Sequence, residues 1–437
     1  MTRLHQLASQ LTISPRQLHQ IALQFRQAME NGLAGAPSPL KMLPSYLDKP
    51  SRNETGTFLA LDFGGTNIRV LLTELLGNGQ YAIHARSGSP LRHETGEYDY
   101  ISAQSTAFDL FDFIARQVAP LVKPGIVYSL GHTFSFPTHQ TALNTGTLLH
   151  WTKEIETRGV EGQDIATLLR AALVRQGLDH VFPRAMINDT VGTLLTSAYE
   201  DPSTTIGSIC GTGHNTAYVE PCAPWTGKPM IINIESGNFN ELPFTIYDIQ
   251  LDGQSEKPGE QALEKMVSGH YLGELLRIIL CSLLNDGLLQ GCCQAKKVLR
   301  IPHRLHGGHL SRIVNDTSEE GKEIAQLLKN EFSIANSSLT DRQILQQIAS
   351  LLSVRSARLV SATYIGILKH IDPEVSRPHT IAIDGSLYEK NPHYAATIRQ
   401  TLKEAIFPKA PITLALAKDG SGIGAAIAVA MAALTPL

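Results

Sequence analysis

The chain has 437 residues, 43% of them hydrophobic and 18% charged, with a formal net charge of −3. That length predicts two domains or one large bilobed unit, with enough apolar residues for a sizeable core. The small net charge argues against a general nucleic-acid or anionic-membrane partner. Five cysteines (Cys210, Cys222, Cys281, Cys292 and Cys293) include no C-x-x-C pair. They fit the reduced thiols of a cytoplasmic protein better than a disulfide or zinc framework.

In chain order, the N-terminus builds no signal-peptide apolar core, and Ser14-Pro15 then opens a helix. Leu18, Ile21, Ala22, Phe25 and Met29 line one face of it, with Gly32 as its stop. A loop rich in Gly, Pro and Ser covers 31–50. Phe58-Leu59-Ala60-Leu61 then predicts a buried strand that delivers Asp62 into a Gly64-Gly65 turn. Thr66 and Asn67 add short polar groups, and a second strand follows over 68–72. Such a turn can offer backbone N–H groups to an anion, and its carboxylate can hold Mg²⁺ through water. An ordinary hairpin using Gly-Gly only for positive φ accounts for it equally well at this point.

Asp164 caps a helix in which Ile165, Leu168, Leu169, Ala172 and Leu173 share a face, ended by Gly177. An apolar strand over 206–210 runs through Gly211-Thr212-Gly213-His214-Asn215 into a strand over 216–220, echoing the first unit. Helices are predicted over 261–289 and 343–370. A strand over 380–384, a Gly385-Ser386 turn, a strand over 412–417 and a helix from Gly424 close the chain. The apolar run 425–434 is shorter than the roughly 20 residues of a membrane span. Two similar strand–turn–strand units among mixed elements predict an α/β fold with internal duplication. P-loop and protein-kinase signatures are missing, and the spacing of Gly420-Ser421-Gly422-Ile423-Gly424 does not match a dinucleotide fingerprint.

Leu130-Gly131-His132-Thr133-Phe134-Ser135-Phe136-Pro137, followed by Trp151-Thr152-Lys153, resembles the sugar-binding signature of the eukaryotic-type hexokinases, a family that includes glucokinase. The likeness then extends over nearly the whole chain. The segment 62–69 resembles the family's first phosphate motif, and Asn188-Asp189-Thr190-Val191-Gly192-Thr193 its catalytic-base segment. Gly211-Thr212-Gly213 through Asn215 is similar to the second phosphate loop. Glu235 in Asn233-Ile234-Glu235, and Pro258-Gly259-Glu260-Gln261 through Glu264, match further sugar contacts. Asp384-Gly385-Ser386-Leu387-Tyr388 and Asp419-Gly420-Ser421-Gly422 resemble the adenosine-side motifs.

The resemblance implies an actin-like ATPase fold, ribonuclease-H-like and duplicated, with two lobes around a central cleft. It puts the small lobe at 56–187 together with the C-terminal helix 425–437, and the large lobe at 1–55 and 188–424. It implies ATP-dependent phosphorylation of glucose, or of another hexose, at the 6-hydroxyl, the first step of glycolysis, with Mg²⁺ as the accompanying ion. Asp189 becomes the expected base; locally the same residue reads as a helix N-cap. Lys153 becomes a charge for the sugar and the transferring phosphoryl, against the local reading of a surface pair with Glu154. Ser135, Phe136, Thr152, Asn188, Asn215, Glu235, Gln261 and Glu264 are the other expected sugar contacts, although Glu264 reads locally as an exposed helix carboxylate. The expected nucleotide contacts are Asp62, Gly64, Gly65, Thr66, Asn67, Arg69, Gly211, Thr212, Gly269, Gly385, Ser386 and Gly420, with Asp62 holding Mg²⁺ through water.

The chain departs from the family pattern at His132 (usually Phe), Ile155 (Leu or Phe), Val354 (often Thr) and Ile423 (Lys or Arg), and Asn238-Phe239-Asn240 replaces Ala-Phe-Gly. A kinase for mannose or fructose is one alternative, and a catalytically weak sugar sensor is another. A chaperone- or filament-type relative of the same ATPase fold would not need the Ser135, Thr152 and Glu235 set. Retention of both Asp189 and Lys153 argues against the sensor.

Overall fold

The computed structural model describes residues 3–152, 155–292 and 295–434. The expectations for Lys153 and its Glu154 pair, for Cys293, and for the last three residues of the C-terminal helix lie outside the described residues.

Two sheets carry the fold. Thr55–Phe63, Asn67–Gly77 and Gln80–Pro90 form an antiparallel meander, and Tyr128–Phe134 and Val181–Ile187 continue it in parallel from its first strand. The second sheet repeats this order. Thr204–Cys210, His214–Glu220 and Met230–Asn233 form the meander, and His379–Asp384 and Ile412–Leu416 run parallel beside Thr204–Cys210. The short strand Leu43–Pro44 adds an outer edge. The expected duplication is visible as one strand order used twice.

The helices that close each repeat cross over. Asp189–Glu200 follows the last strand of the first sheet but packs on Thr204–Cys210 of the second. Gly420–Leu434 follows the last strand of the second sheet and packs on Thr55–Phe63 and Tyr128–Phe134 of the first. The two helices meet at Gly192 and Gly424, where a Cβ on Gly424 would strike the Gly192 backbone. Ala60, Ile187, Leu194, Ala217, Ile423 and Ile427 form part of the core between the sheets. Small residues dominate this helix contact because the two backbones approach so closely.

Leu339–Ile371 is long and apolar enough to cross a membrane by length and composition, yet most of it is buried among the helices of the second half. Its Arg355 pairs with buried Asp248 through two hydrogen bonds of 2.9 and 2.6 Å. Pro15–Leu33 packs along it, opened by a capping box between Ser14 and Gln17. That helix passes through Gly32, which lies against the Met42 side chain and does not act as a stop.

Three further elements differ from expectation. The helix over 261–289 is interrupted at extended Ser268, giving Ala262–Val267 and Gly269–Asn285. There the N–H groups of Gly269 and His270 donate to the carbonyls of Gly211 and Thr212. The closing helix starts at Gly420, four residues early, because its Gly-rich first turn nests against Thr193 and Gly192. His214 and Asn215 belong to the strand His214–Glu220, so the second turn is only 211–213.

Candidate active site

The first hairpin is built as its sequence predicts. Asp62 lies near the end of a buried strand, in register with Arg69. Arg69 Nη2 donates to Asp62 Oδ2 at 2.8 Å, and Ser421 Oγ donates to the same oxygen at 3.1 Å. Arg69 Nη1 also pairs with Asp419, so one guanidinium ties the hairpin to the residue before the closing helix. Gly64 does not adopt positive φ, and a Cβ there would meet only the Asn67 carbonyl at an ordinary 3.6 Å. The hairpin therefore does not require glycine at 64 for its own conformation. Bare backbone there leaves room for an approaching anion, beside the short side chains of Thr66 and Asn67.

The second turn collects the other expected nucleotide contacts. Gly269 N donates to Gly211 O at 2.8 Å, and a Cβ on Gly211 would lie 3.3 Å from Gly385 Cα and 3.5 Å from Ser386 N. Gly385 has φ +119°, a conformation that excludes other residues, and it lies against Cys210 and Gly211. Gly211, Thr212, Gly269, Gly385 and Ser386 are thus neighbours, drawn from three separate stretches of chain. Gly420 begins the closing helix beside Thr193.

The polar residues expected at the sugar share one network. Asn188, not Asp189, caps the helix: its Oδ1 accepts from Thr190 N at 2.9 Å and from Thr190 Oγ1 at 2.6 Å. Asp189 is the helix's first residue and is half-buried, and its Oδ1 accepts from Thr190 N at 2.8 Å. Asn215 Nδ2 donates to Asn233 Oδ1 at 2.9 Å and to Glu235 Oε1 at 3.2 Å, and it lies 3.5 Å from Asn188 Oδ1. Asn233 Nδ2 donates to Glu235 Oε1 at 2.8 Å. Sequence reasoning did not single out Asn233 as a functional residue; it ends the strand Met230–Asn233, and the left-handed turn at Glu235 brings the carboxylate back to its amide.

Gln261 and Glu264 come from the loop and helix behind this network. Glu264 Oε2 accepts from His214 N at 2.8 Å, so its carboxylate is turned inward and not to the surface. A Cβ on Gly237 would collide with Gln261 Oε1, which places that amide against the Glu235 segment. Glu235 and Gln261 adopt left-handed φ of 56° and 54°, and Asp419 one of 53°. Strained backbone of this kind persists where the surroundings over-determine it and clusters at binding sites.

Ser135 follows the strand Tyr128–Phe134 and is half-buried, as is Thr152. Phe136 is buried with Phe63, Phe134 and Trp151 at ring separations of 5.3, 4.8 and 5.0 Å. Its ring therefore belongs to the core, and it offers a sugar only its backbone. This aromatic cluster joins the first phosphate hairpin to the Ser135–Thr152 region.

Burial pushes the Asp62 carboxyl up, and Arg69 opposes that shift. Burial likewise raises Asp384 to about 6, with the charges of Asp189 and Asp419 adding to the effect. Four carboxylates thus share the floor of this region with one guanidinium. Asp384 was not singled out from sequence, although its place at the end of a strand before a glycine turn parallels that of Asp62. The oxygen-rich donor set suits Mg²⁺. Among the described residues no three His, Cys, Asp or Glu side chains converge as a metal cage.

Two family models described as hexokinase match residues 3–199 and 205–431. Hexokinase-2 of Oryza sativa subsp. japonica is 37% identical, over 98% of this chain and 90% of its own length. Hexokinase-1 of Arabidopsis thaliana is 38% identical, over 94% of this chain and 87% of its own. The hexokinase of Schistosoma mansoni, solved in complex with glucose, superposes with a TM-score of 0.84 at 31% identity, covering 98% of both chains.

Proposed function

The chain belongs to the hexokinase family, and from that premise we propose that its cleft takes glucose and MgATP, with Asp189 as the base toward the sugar 6-hydroxyl. The protein is an ATP-dependent hexose kinase, a phosphotransferase acting on an alcohol group. Glucose as the preferred hexose is supported by the glucose complex of the similar Schistosoma mansoni enzyme.

One observation carries the residue assignment: Asn215, on the strand leaving the second phosphate turn, links Glu235 and the helix cap Asn188 into one hydrogen-bonded group next to Asp189. A hexose needs acceptors as well as donors, and amides with carboxylates supply both. Asp189 is spared the capping role by Asn188, and the N-terminus of its helix favours the ionised carboxylate. As the acceptor oxygen loses its proton to Asp189, the two glycine turns hold the phosphates by backbone N–H groups. Lys153, by the resemblance, adds positive charge where the transferring phosphoryl develops its own negative charge. Mg²⁺ would be held by Asp62 through water, and when bound it neutralises phosphate charge.

Water competes with the sugar as acceptor. Closing Ser135 and Thr152 toward Asp189 only over a correct hexose suppresses ATP hydrolysis. The lobe division at 187/188, with the closing helix assigned to the small lobe, is supported by that helix packing on the first sheet. A cytoplasmic location is supported by the free thiols of Cys210, Cys222, Cys281 and Cys292; fractionation of tagged protein checks it.

The test is ADP release across a panel of hexoses, wild type beside Asp189→Ala. Sugar-stimulated release that falls about 10²–10⁴-fold in the variant supports the assignment. Undiminished turnover in Asp189→Ala sinks the base, and equal turnover with and without sugar sinks closure.

A further inference from the structure

Behind the sugar network, a buried lysine closes the loop that delivers Gln261. The helix Ile246–Gln254 gives way to a loop over 255–260, and Gln261 then opens the helix Ala262–Val267. Lys265 lies in that second helix with only 5% of its side chain exposed. Its Nζ donates to Asp252 Oδ1 at 2.6 Å and to the carbonyl of Lys257 at 2.7 Å. Asp252, in the last turn of the first helix, also accepts the N–H of Gly259 at 3.0 Å on each carboxylate oxygen. Side chains from the two flanking helices thus hold the loop at 257 and 259. The backbone N–H of Lys265 meanwhile donates to Gln261 O at 3.0 Å. One residue therefore fixes both the loop before Gln261 and the backbone of Gln261 itself.

Gln261 needs such support. Its φ of 54° is left-handed, a region disfavoured for any residue with a side chain. The side chain makes no capping hydrogen bond, and its Oε1 instead lies where a Cβ on Gly237 would collide with it. The neighbouring groups have anchors of their own. Glu264 is held by the N–H of His214, and the second phosphate turn by those of Gly269 and His270. Loosening the loop therefore reaches Gln261 and spares the nucleotide side.

Stability alone does not account for a lysine at this position. Taking an ammonium out of water offsets most of what its ion pair returns, and an apolar residue of similar volume would fill the same space. What the ammonium supplies is direction, through hydrogen bonds to two separate points in front of Gln261.

We propose that Lys265, together with Asp252, is a positioning residue for the hexose: it sets the loop over 255–260 so that the Gln261 amide faces the sugar beside Glu235. Lys265 touches neither the substrate nor the reacting atoms. The role rests on the hexose site proposed above.

The test is a cycle of Lys265→Met, Gln261→Ala and the double variant, with glucose and ATP varied separately. Lys265→Met keeps the buried stem, and the Asp252 carboxylate left behind is 36% exposed and returns to water. The KM for glucose is expected to rise roughly tenfold, while kcat and the KM for ATP stay close to wild type. The double variant is expected to match Gln261→Ala alone, because Lys265 acts through that amide. A merely structural staple would lower the urea midpoint and add its loss to that of Gln261→Ala. If Lys265→Met does not fold, Asp252→Asn weakens the exposed end of the same clamp and carries the same cycle. An unchanged KM for glucose, or losses that add in the double variant, overturn the positioning role alone. Absence of glucose-stimulated ADP release in the wild type overturns the hexose site, and this role with it.

Discussion

Asp62 and Arg69 face each other across the first hairpin and are joined by a 2.8 Å hydrogen bond between Nη2 and Oδ2. The carboxylate is buried and the guanidinium half-exposed, so the pair is asymmetric: Asp62 depends on Arg69 more than Arg69 depends on Asp62. Arg69→Met leaves Asp62 without its cation and releases Asp419. The expected stability loss is only about 0.5–1 kcal/mol, because solvent screens the exposed half of the pair. The expected functional loss is larger, a rise in the KM for ATP of roughly tenfold from a misplaced phosphate turn. Steady-state kinetics beside a urea titration separate the two; an unchanged KM rules out Arg69 as support for that turn.

His132 stands in a fully buried strand position and burial drives its pKa down to about 4 from 6.5. The unfolded chain protonates this ring near 6.5 and the folded protein does not. The sign follows: its contribution is fully present above pH 6.5 and is lost as pH falls through 4. That amounts to about 3 kcal/mol over the window. His214 shifts in the same direction, also to about 4. His132→Phe is expected to flatten part of the decline in stability between pH 7 and 4.5, read as denaturant midpoints at the two pH values. A decline as steep as in wild type refutes it.

Asp384 has the opposite sign. Burial raises its carboxyl to about 6 from 3.8, so the ligand-free fold prefers the protonated form and loses stability as pH rises from 3.8 through 6. Asp384→Asn is expected to melt above wild type at pH 7.5, by up to about 3 kcal/mol. The gap should close toward pH 4. Melting curves without nucleotide at both values measure it, and a gap independent of pH counts against titration of Asp384.

Gly424 sits where the closing helix crosses Asp189–Glu200. A methyl group there has only the Gly192 backbone to displace, so Gly424→Ala must separate the helices. Overpacking of this kind destabilises by about 1–3 kcal/mol. Because the helix displaced begins with Asp189, kcat should fall as well, and calorimetry beside initial rates would register both losses. Wild-type values for each would mean that the crossing is looser than its geometry indicates.

Much of this protein was legible in its residues. The strand before Asp62, the helix capped by Asp164 and the repeated strand–turn–strand units are local patterns, set by side-chain period and by glycine and capping chemistry. The ordered sugar and phosphate segments pointed to a hexose kinase before any contact was known. Packing decided what local pattern leaves open. The closing helix begins at Gly420 because its glycines pack closely on Thr193 and Gly192 of the neighbouring helix. The helix near 268 breaks because its N–H groups bond the Gly211 turn instead. Asn188 took the capping role that left Asp189 as the candidate base. Asn233 joined the sugar network through neighbours 18 residues away in sequence, such as Asn215. Local residue patterns account for which elements form and which chemical groups they carry, since those follow from interactions within a few residues. Which carboxylates share one low-dielectric floor depends on the folded arrangement, since burial and charge environment belong to residues brought together from distant stretches of chain.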